Sequence, residues 1–157
     1  MKLYTLGYEG MDIDDFCKAV KKHKIKIIAD LRKNPVSRKK GFSKRLLGEN
    51  LQKFDVEYLH LGGLGVPSEW RKQAKEEIIT RRKMFRDYQK KVLPNHLDEI
   101  NLIRKLMKKK KLALLCYEAD ASDCHRSFVS SEIAKSEKGL LVKNLEIQAE
   151  GPKLFRK

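Results

Sequence analysis

Short apolar runs alternate with amphipathic segments along this chain of 157 residues. The runs are rich in strand formers, and the segments between them repeat their apolar residues with the spacing of a helix. This alternation is typical of a parallel sheet covered by helices, because parallel strands need a long crossover between them. We therefore predict one α/β domain over residues 1–157, with a mostly parallel sheet of about five strands flanked by helices.

The same patterns place the individual elements. Strands are predicted over residues 2–7, 25–31, 56–61, 112–116 and 140–147. Helices are predicted to begin near the N-cap residues Asp12, Ser43, Ser68, Asn95 and Ser122 or Asp123. Apolar residues are sparse across 68–93, which predicts a long basic helix that protrudes from the domain or covers it as a lid.

Positive charge dominates the composition, with 36 Lys and Arg against 21 Asp and Glu and a formal net charge of +15. Such a field attracts nucleic acid and small anions, although a solvated lysine-rich surface accounts for it equally well. The chain has neither an apolar stretch of the length of a membrane span nor a signal-peptide core, so we expect no membrane partner. Three cysteines without paired spacing indicate a reduced, cytoplasmic setting.

Polar residues with anion-binding chemistry follow the second predicted strand. Asp30 and Arg32 project from the same side of an extended chain, since side chains repeat with a period of two. One interpretation is a structural Asp30–Arg32 pair that neutralises a buried carboxylate. The other is that Arg32, Ser37 and Arg38 bind an anion together, because guanidinium groups chelate phosphate and carboxylate.

A second polar loop follows the predicted strand 112–116. Cys124 precedes a predicted helix start, where a thiol has a lowered pKa and is a candidate nucleophile, although many buried cysteines are inert. His125 and Glu118 are the candidate acid–base groups, while Glu118 is equally suited to pairing with an arginine. Arg126 and the helix N-terminus are expected to bind an anion. Cys116 is expected to support this site.

Two further features bear on the site. Tyr8 follows the glycine that ends the first predicted strand, and we expect it either to support the site from that edge or to be a surface residue. Four residues have metal-binding atoms, namely Cys116, Cys124, His125 and His60. Because their spacing lacks the CxxC or HxxxH pattern of zinc sites, the sequence predicts no metal and no cofactor.

The chain resembles a family known as domain of unknown function 488. The similarity lies in TLGYEG (5–10), ADLRKNPVSRKKGFS (29–43), VEYLHLGGLG (56–65) and LLCYEADASDCHR (114–126). The resemblance implies an α/β fold with these loops clustered, and it implies no activity. It marks a characteristic polar set: Asp30, Arg32, Pro35, Ser37, Arg38, Cys116, Glu118, Cys124, His125 and Arg126. A fainter similarity to rhodaneses and cysteine-based phosphatases would make Cys116 the nucleophile, but Arg126 is too distant in sequence for their signature loop.

Two functions remain open at this point, beside a third option in which the domain binds a partner and the polar cluster is purely structural. The first is an anion-binding pocket at the carboxyl edge of the sheet, in an enzyme acting on a phosphorylated or nucleotide-like substrate. The second is a nucleic-acid-binding module in which basic helices around 71–91 and 104–111 contact the phosphate backbone and the polar cluster is structural. The expected partner is accordingly a small anionic ligand or a nucleic acid.

Overall fold

A five-stranded sheet, parallel throughout, forms the centre of the protein. The computed structural model describes residues 1–146. The strands are β1 (Lys2–Gly7), β2 (Ile27–Asp30), β3 (Glu57–His60), β4 (Leu112–Cys116) and β5 (Leu141–Asn144). They lie in the order β3-β2-β4-β1-β5, and every neighbouring pair is parallel. The predicted fold class is therefore confirmed.

Six α-helices cover the two faces of this sheet. They are α1 (Ile13–Lys22), α2 (Lys44–Gln52), α3 (Ser68–Lys75), α4 (Arg81–Asp87), α5 (Leu97–Met107) and α6 (Arg126–Ser136). Helices α1 and α2 pack on one face, and α4, α5 and α6 pack on the other. None of the helices described has the length and apolar character that a bilayer span requires.

Two apolar clusters form the core because β4 is buried on both sides. Leu112, Leu114 and Cys116 point toward α5 and α6, whereas Ala113 and Leu115 point toward α1 and α2. All five residues are 0 % exposed. A strand covered on both faces reads as a continuous apolar run, which explains why the sequence pattern located its bounds correctly.

The strand order brings the two polar loops together. β4 lies between β2 and β1, with Asp30 of β2 in register with Leu115 of β4. Because parallel strands end at the same edge, the loop after β2 and the loop after β4 leave the sheet side by side. A candidate site therefore has to be sought at this edge.

The structure corrects the prediction for residues 68–93. The single long helix is two helices, because Glu77 adopts a left-handed backbone conformation (φ 60°) and the Thr80 side chain then caps α4. Met84 is buried in the core, so the second of these helices packs on the sheet and does not protrude.

Other boundaries differ from the prediction as well, since β2 and β3 are each shorter than predicted by one or two residues at either end. The Asp120 carboxylate accepts a hydrogen bond from the backbone of Ser122, which holds residues 121–123 in a separate turn, and α6 starts at Arg126 instead of after Ser122 or Asp123. The fifth strand ends at Asn144, so Leu145 and Glu146 lie outside it although they were predicted within it, and Ile147 lies outside the described residues.

Candidate functional site

The loop after β2 is built on a buried ion pair. Arg32 Nη2 donates to Asp30 Oδ2 at 2.7 Å, and Arg32 Nε donates to Asp30 Oδ1 at 2.9 Å. Asp30 is 0 % exposed and also accepts a hydrogen bond from the Tyr58 hydroxyl. Arg32 Nη1 donates to Tyr8 Oη at 3.1 Å and to the Phe42 carbonyl at 2.7 Å. The guanidinium thus positions three chain segments.

The loop after β4 gathers two thiols and an imidazole. His125 Nδ1 lies 3.8 Å from Cys116 Sγ and 3.9 Å from Cys124 Sγ, and Cys116 Sγ is 3.5 Å from His125 Nε2. Both thiols are 0 % exposed. His125 Nε2 lies 3.0 Å from the Leu31 carbonyl, so this hydrogen bond ties the ring to the neighbouring loop.

The three groups have different electrostatic surroundings. Burial raises the pKa of Cys116 well above the ordinary value of a thiol. Burial acts in the same direction on Cys124, but hydrogen bonds from Cys116 and His125 outweigh it and hold the pKa of Cys124 well below that value. Burial lowers the pKa of His125, and the hydrogen bond to Cys124 more than offsets it, so the net shift is upward. The surroundings therefore favour deprotonation of Cys124 over deprotonation of Cys116.

Glu118 is a carboxyl group whose charge interacts with all three members of this cluster. Burial raises the pKa of its carboxyl to about 7, and the negative charge on Cys124 acts in the same direction. It forms an ion pair with Arg81, whose Nη2 lies 4.0 Å from Oε1. A carboxyl group that titrates near neutral pH is suited to proton transfer.

Arg126 does not lie where the sequence placed it. It is 1 % exposed, and its Nε donates to Thr5 Oγ1 at 3.2 Å. Nη1 and Nη2 donate to the backbone carbonyls of Glu118 and Ala119. Its guanidinium therefore fixes the loop after β4 through that loop's backbone carbonyls. This positioning role replaces the anion contact that was predicted for Arg126.

A cavity of about 300 Å³ opens above the two loops. Its basic lining residues are Arg32, Lys33, Arg38, Arg71 and Arg81, and its acidic lining residue is Glu118. Arg81 donates to Asp123 Oδ1 at 2.8 Å, and Arg32 is paired with Asp30. The other three basic side chains form no ion pair with a carboxylate of residues 1–146. They leave positive charge free to meet a ligand.

Apolar and aromatic groups complete the lining. Tyr8 stacks on Phe42 with ring centroids 4.3 Å apart, and the edge of Tyr117 meets Tyr8 at 5.3 Å. Tyr117 is 46 % exposed and Val36 is 84 % exposed, and both line the cavity. The cavity therefore combines cations with flat apolar surfaces.

Comparison with known proteins identifies the family. The sequence profile described as domain of unknown function DUF488 matches residues 12–133, which is most of the chain. The protein belongs to the DUF488 family. A search of curated proteins and a search of solved structures find no significant match to it.

This DUF488 domain brings together most of the residues predicted from the sequence. Six of them line the cavity: Tyr8, Arg32, Ser37, Arg38, Glu118 and His125. Asp30, Cys116, Cys124 and Arg126 are buried without lining it. Because Cys116 is enclosed and Arg126 is bound to backbone, the fainter similarity to rhodaneses and phosphatases does not extend to the site.

Sequence reasoning missed Arg71 and Arg81 as members of the DUF488 site. Arg71 lies in α3 and Arg81 begins α4, so both line the cavity from the segment 68–87 and not from the loops after β2 and β4. The excess of basic residues over 71–91 was the available signal. That excess predicts a lid or a surface for nucleic acid, because charge composition does not tell which side chains turn inward.

Proposed function

We propose that this protein binds a phosphorylated, nucleotide-like small molecule in the cavity at the carboxyl edge of the sheet. The convergence of Lys33, Arg38 and Arg71, which have no carboxylate partner among the described residues, is the observation that supports it. Cations without partners in a concave site attract an anion and contribute charge-assisted hydrogen bonds to it.

The aromatic lining supports a ring in the ligand beside its phosphate. Tyr117 and Val36 are exposed at the cavity and present apolar surface that water covers in the free protein. A base or sugar ring placed against them would bury that surface, and tyrosine faces stack well on bases. The volume of about 300 Å³ suits a ligand of mononucleotide size better than a larger one.

Glu118 is the proposed proton-transfer group for such a ligand. It is the carboxyl group among the lining residues, and its backbone carbonyl is held by Arg126. His125 also lines the cavity, whereas Cys124 is enclosed behind it. The predicted nucleophilic role of Cys124 has no direct path to a ligand in this conformation, so the proposal assigns proton transfer to Glu118.

Calorimetric titration tests the binding proposal. The panel consists of inorganic phosphate, ribose 5-phosphate, the four common ribonucleoside 5′-monophosphates and the uncharged nucleosides. We expect a monophosphate to bind, its nucleoside to bind more weakly, and Arg38→Ala or Arg71→Ala to weaken binding about 10- to 100-fold, because a hydrogen bond to a charged group contributes about 1.5–3 kcal/mol.

Arg82→Ala is the matched control. Arg82 is an exposed arginine in α4 that does not line the cavity, so its removal lowers the net charge by the same amount. Equal loss of affinity in Arg82→Ala and Arg38→Ala would show that bulk charge attracts the anion, and it would overturn the proposal. The same conclusion would follow if no phosphorylated compound bound.

Nucleic-acid binding is the second candidate, because some basic residues form ion pairs with carboxylates while others keep a free positive charge that could contact phosphates. Arg104 and Lys108 both contact Glu137, and Lys110 contacts Glu57, so the segment 104–111 is partly neutralised. In α4, Lys83 pairs with Asp87 and Arg81 with Asp123, which leaves Arg82 and Arg86 without an ion pair among residues 1–146. Anisotropy of a labelled single-stranded oligonucleotide across a salt series distinguishes the two functions. A steep logarithmic salt slope reports the release of several counterions and favours the polymer, whereas a shallow one favours the cavity ligand.

A further inference from the structure

We propose that Cys116, Cys124 and His125 form a binding site for a thiophilic divalent metal ion of the zinc class, at the back of the cavity. Their donor atoms all lie within 4.8 Å of one another, and all three residues are buried. The inference does not depend on the proposed anionic ligand, since it rests on these three side chains alone.

The distances match a tetrahedral metal centre closely. Zinc bonds of about 2.3 Å to sulfur and about 2.0 Å to nitrogen place those two donors about 3.6 Å apart in a tetrahedron. His125 Nδ1 lies 3.8 Å from one sulfur and 3.9 Å from the other. Because Cys116 Sγ also lies 3.5 Å from Nε2, completing the three bonds requires the imidazole to rotate until the Nδ1 lone pair points between the two sulfurs.

The second ring nitrogen of His125 supports the same interpretation. Nε2 lies 3.0 Å from the Leu31 carbonyl and is positioned to donate its proton there. A metal-binding histidine ordinarily donates its other N–H to a carbonyl or carboxylate, which fixes the tautomer and leaves the first nitrogen free to bind the ion. The hydrogen bond thus leaves Nδ1 as the nitrogen available for a metal, although Cys116 Sγ lies beside the ring, 3.5 Å from Nε2 and 3.8 Å from Nδ1.

The surroundings of the two thiols also favour a metal site over simple packing. Cys116 is the last residue of β4, and Cys124 precedes His125, so a rigid strand end and a helix start position the donors. The polar partners of the two sulfurs are each other and the imidazole. Two thiolates and one imidazole form the soft donor set that zinc and similar ions prefer.

Three protein donors leave a fourth position open. His125 lines the cavity, so this position faces the space in which a ligand or a water molecule would lie. Sites with three protein donors and one open position are the arrangement found in catalytic zinc centres, whereas structural zinc has four protein donors. The geometry therefore assigns the metal to the side of the protein on which the cavity lies.

Cobalt titration of the reduced, untagged full-length chain tests the inference. We expect one Co²⁺ per chain, a thiolate-to-cobalt charge-transfer band and intense tetrahedral d–d bands, all of which disappear when Zn²⁺ displaces the cobalt. Cys116→Ser, Cys124→Ser and His125→Gln should each weaken metal binding by roughly 100-fold or more, beyond the range typical of a lost outer-shell partner.

Cys17→Ser is the matched control. Cys17 is a buried thiol in the other apolar cluster, on the opposite face of the sheet, and its loss should leave affinity and spectrum unchanged. Circular dichroism checks the fold of each variant. If the serine variants at Cys116 and Cys124 unfold, the cobalt spectra of the wild-type and Cys17→Ser chains alone test the inference. A folded, reduced wild-type chain without the charge-transfer band would overturn the inference, as would unchanged metal affinity in folded Cys124→Ser.

Discussion

Replacing Asp30 with asparagine is the most direct test of the Asp30–Arg32 pair. The substitution keeps the shape of the side chain and one acceptor oxygen but removes the negative charge. Arg32 would remain buried with its bonds to Tyr8 and Phe42 and without a compensating carboxylate. Because a buried charge without its partner is costly, we expect Asp30→Asn to lower the free energy of unfolding substantially.

The magnitude follows from the burial of both groups. The side chains are 0 % and 8 % exposed and their closest atoms are 2.7 Å apart, so the pair belongs to the buried class. Removing one partner of such a pair costs about 3–5 kcal/mol. For a domain of this size the melting temperature falls roughly 2–4 °C per kcal/mol, so we expect a decrease of about 6–20 °C.

Urea unfolding monitored by circular dichroism and by the fluorescence of Trp70 measures this change. Glu49→Gln is the control, because it breaks the exposed Arg45–Glu49 pair, and such pairs contribute only about 0.3–0.5 kcal/mol. A loss below about 1 kcal/mol in Asp30→Asn, with the same dependence on urea, would refute the structural role. Arg32→Met combined with Asp30→Asn should cost less than the sum of the two single changes.

The other predictions concern the loop after β4. A Cβ atom on Gly7 would overlap the carbonyl oxygen of Glu118, so Gly7→Ala should displace that loop, cost about 1–3 kcal/mol in urea unfolding and weaken ligand binding. Gly48→Ala in α2 meets only ordinary contacts and, as the control, should stabilise the protein by up to about 1 kcal/mol; equal stability of the two variants would contradict the steric argument. Arg126→Lys should cost about 1–3 kcal/mol, because a lysine cannot replace the guanidinium bonds to Thr5 and two carbonyls, and an unchanged unfolding curve would disprove the positioning role.

Local patterns predicted the strands better than the helices. β1 and β4 have the predicted bounds because their apolar residues are buried, and burial is what the pattern reports. The segment 68–93 differs from its prediction because Met84 and Phe85 are few among many charges, yet both pack into the core. Glu77, whose left-handed backbone separates the two helices, carries no sequence signal for that conformation.

The part of the candidate site that follows strand ends was predictable from the sequence, whereas the direction of its long side chains was not. Arg38 and Glu118 follow strand ends, and the carboxyl edge of a parallel sheet is where loops converge, so their neighbourhood was foreseeable. Arg126 follows the same rule in sequence, but its guanidinium turns toward backbone carbonyls of its own loop. Which way a long side chain turns depends on acceptors that appear only after the loop has folded.

The sequence alone determined the layered α/β architecture, the family and the edge of the sheet at which polar groups gather. Periods of two and of 3.6 residues are local properties, and they decide which face of each element is buried. The tertiary structure decided which cations face the cavity and that two thiols meet one imidazole. Arg81 reaches Asp123 across 42 positions of the chain, and His125 reaches Leu31 across 94. Such contacts depend on strand order and on the path of each crossover, which local patterns do not encode.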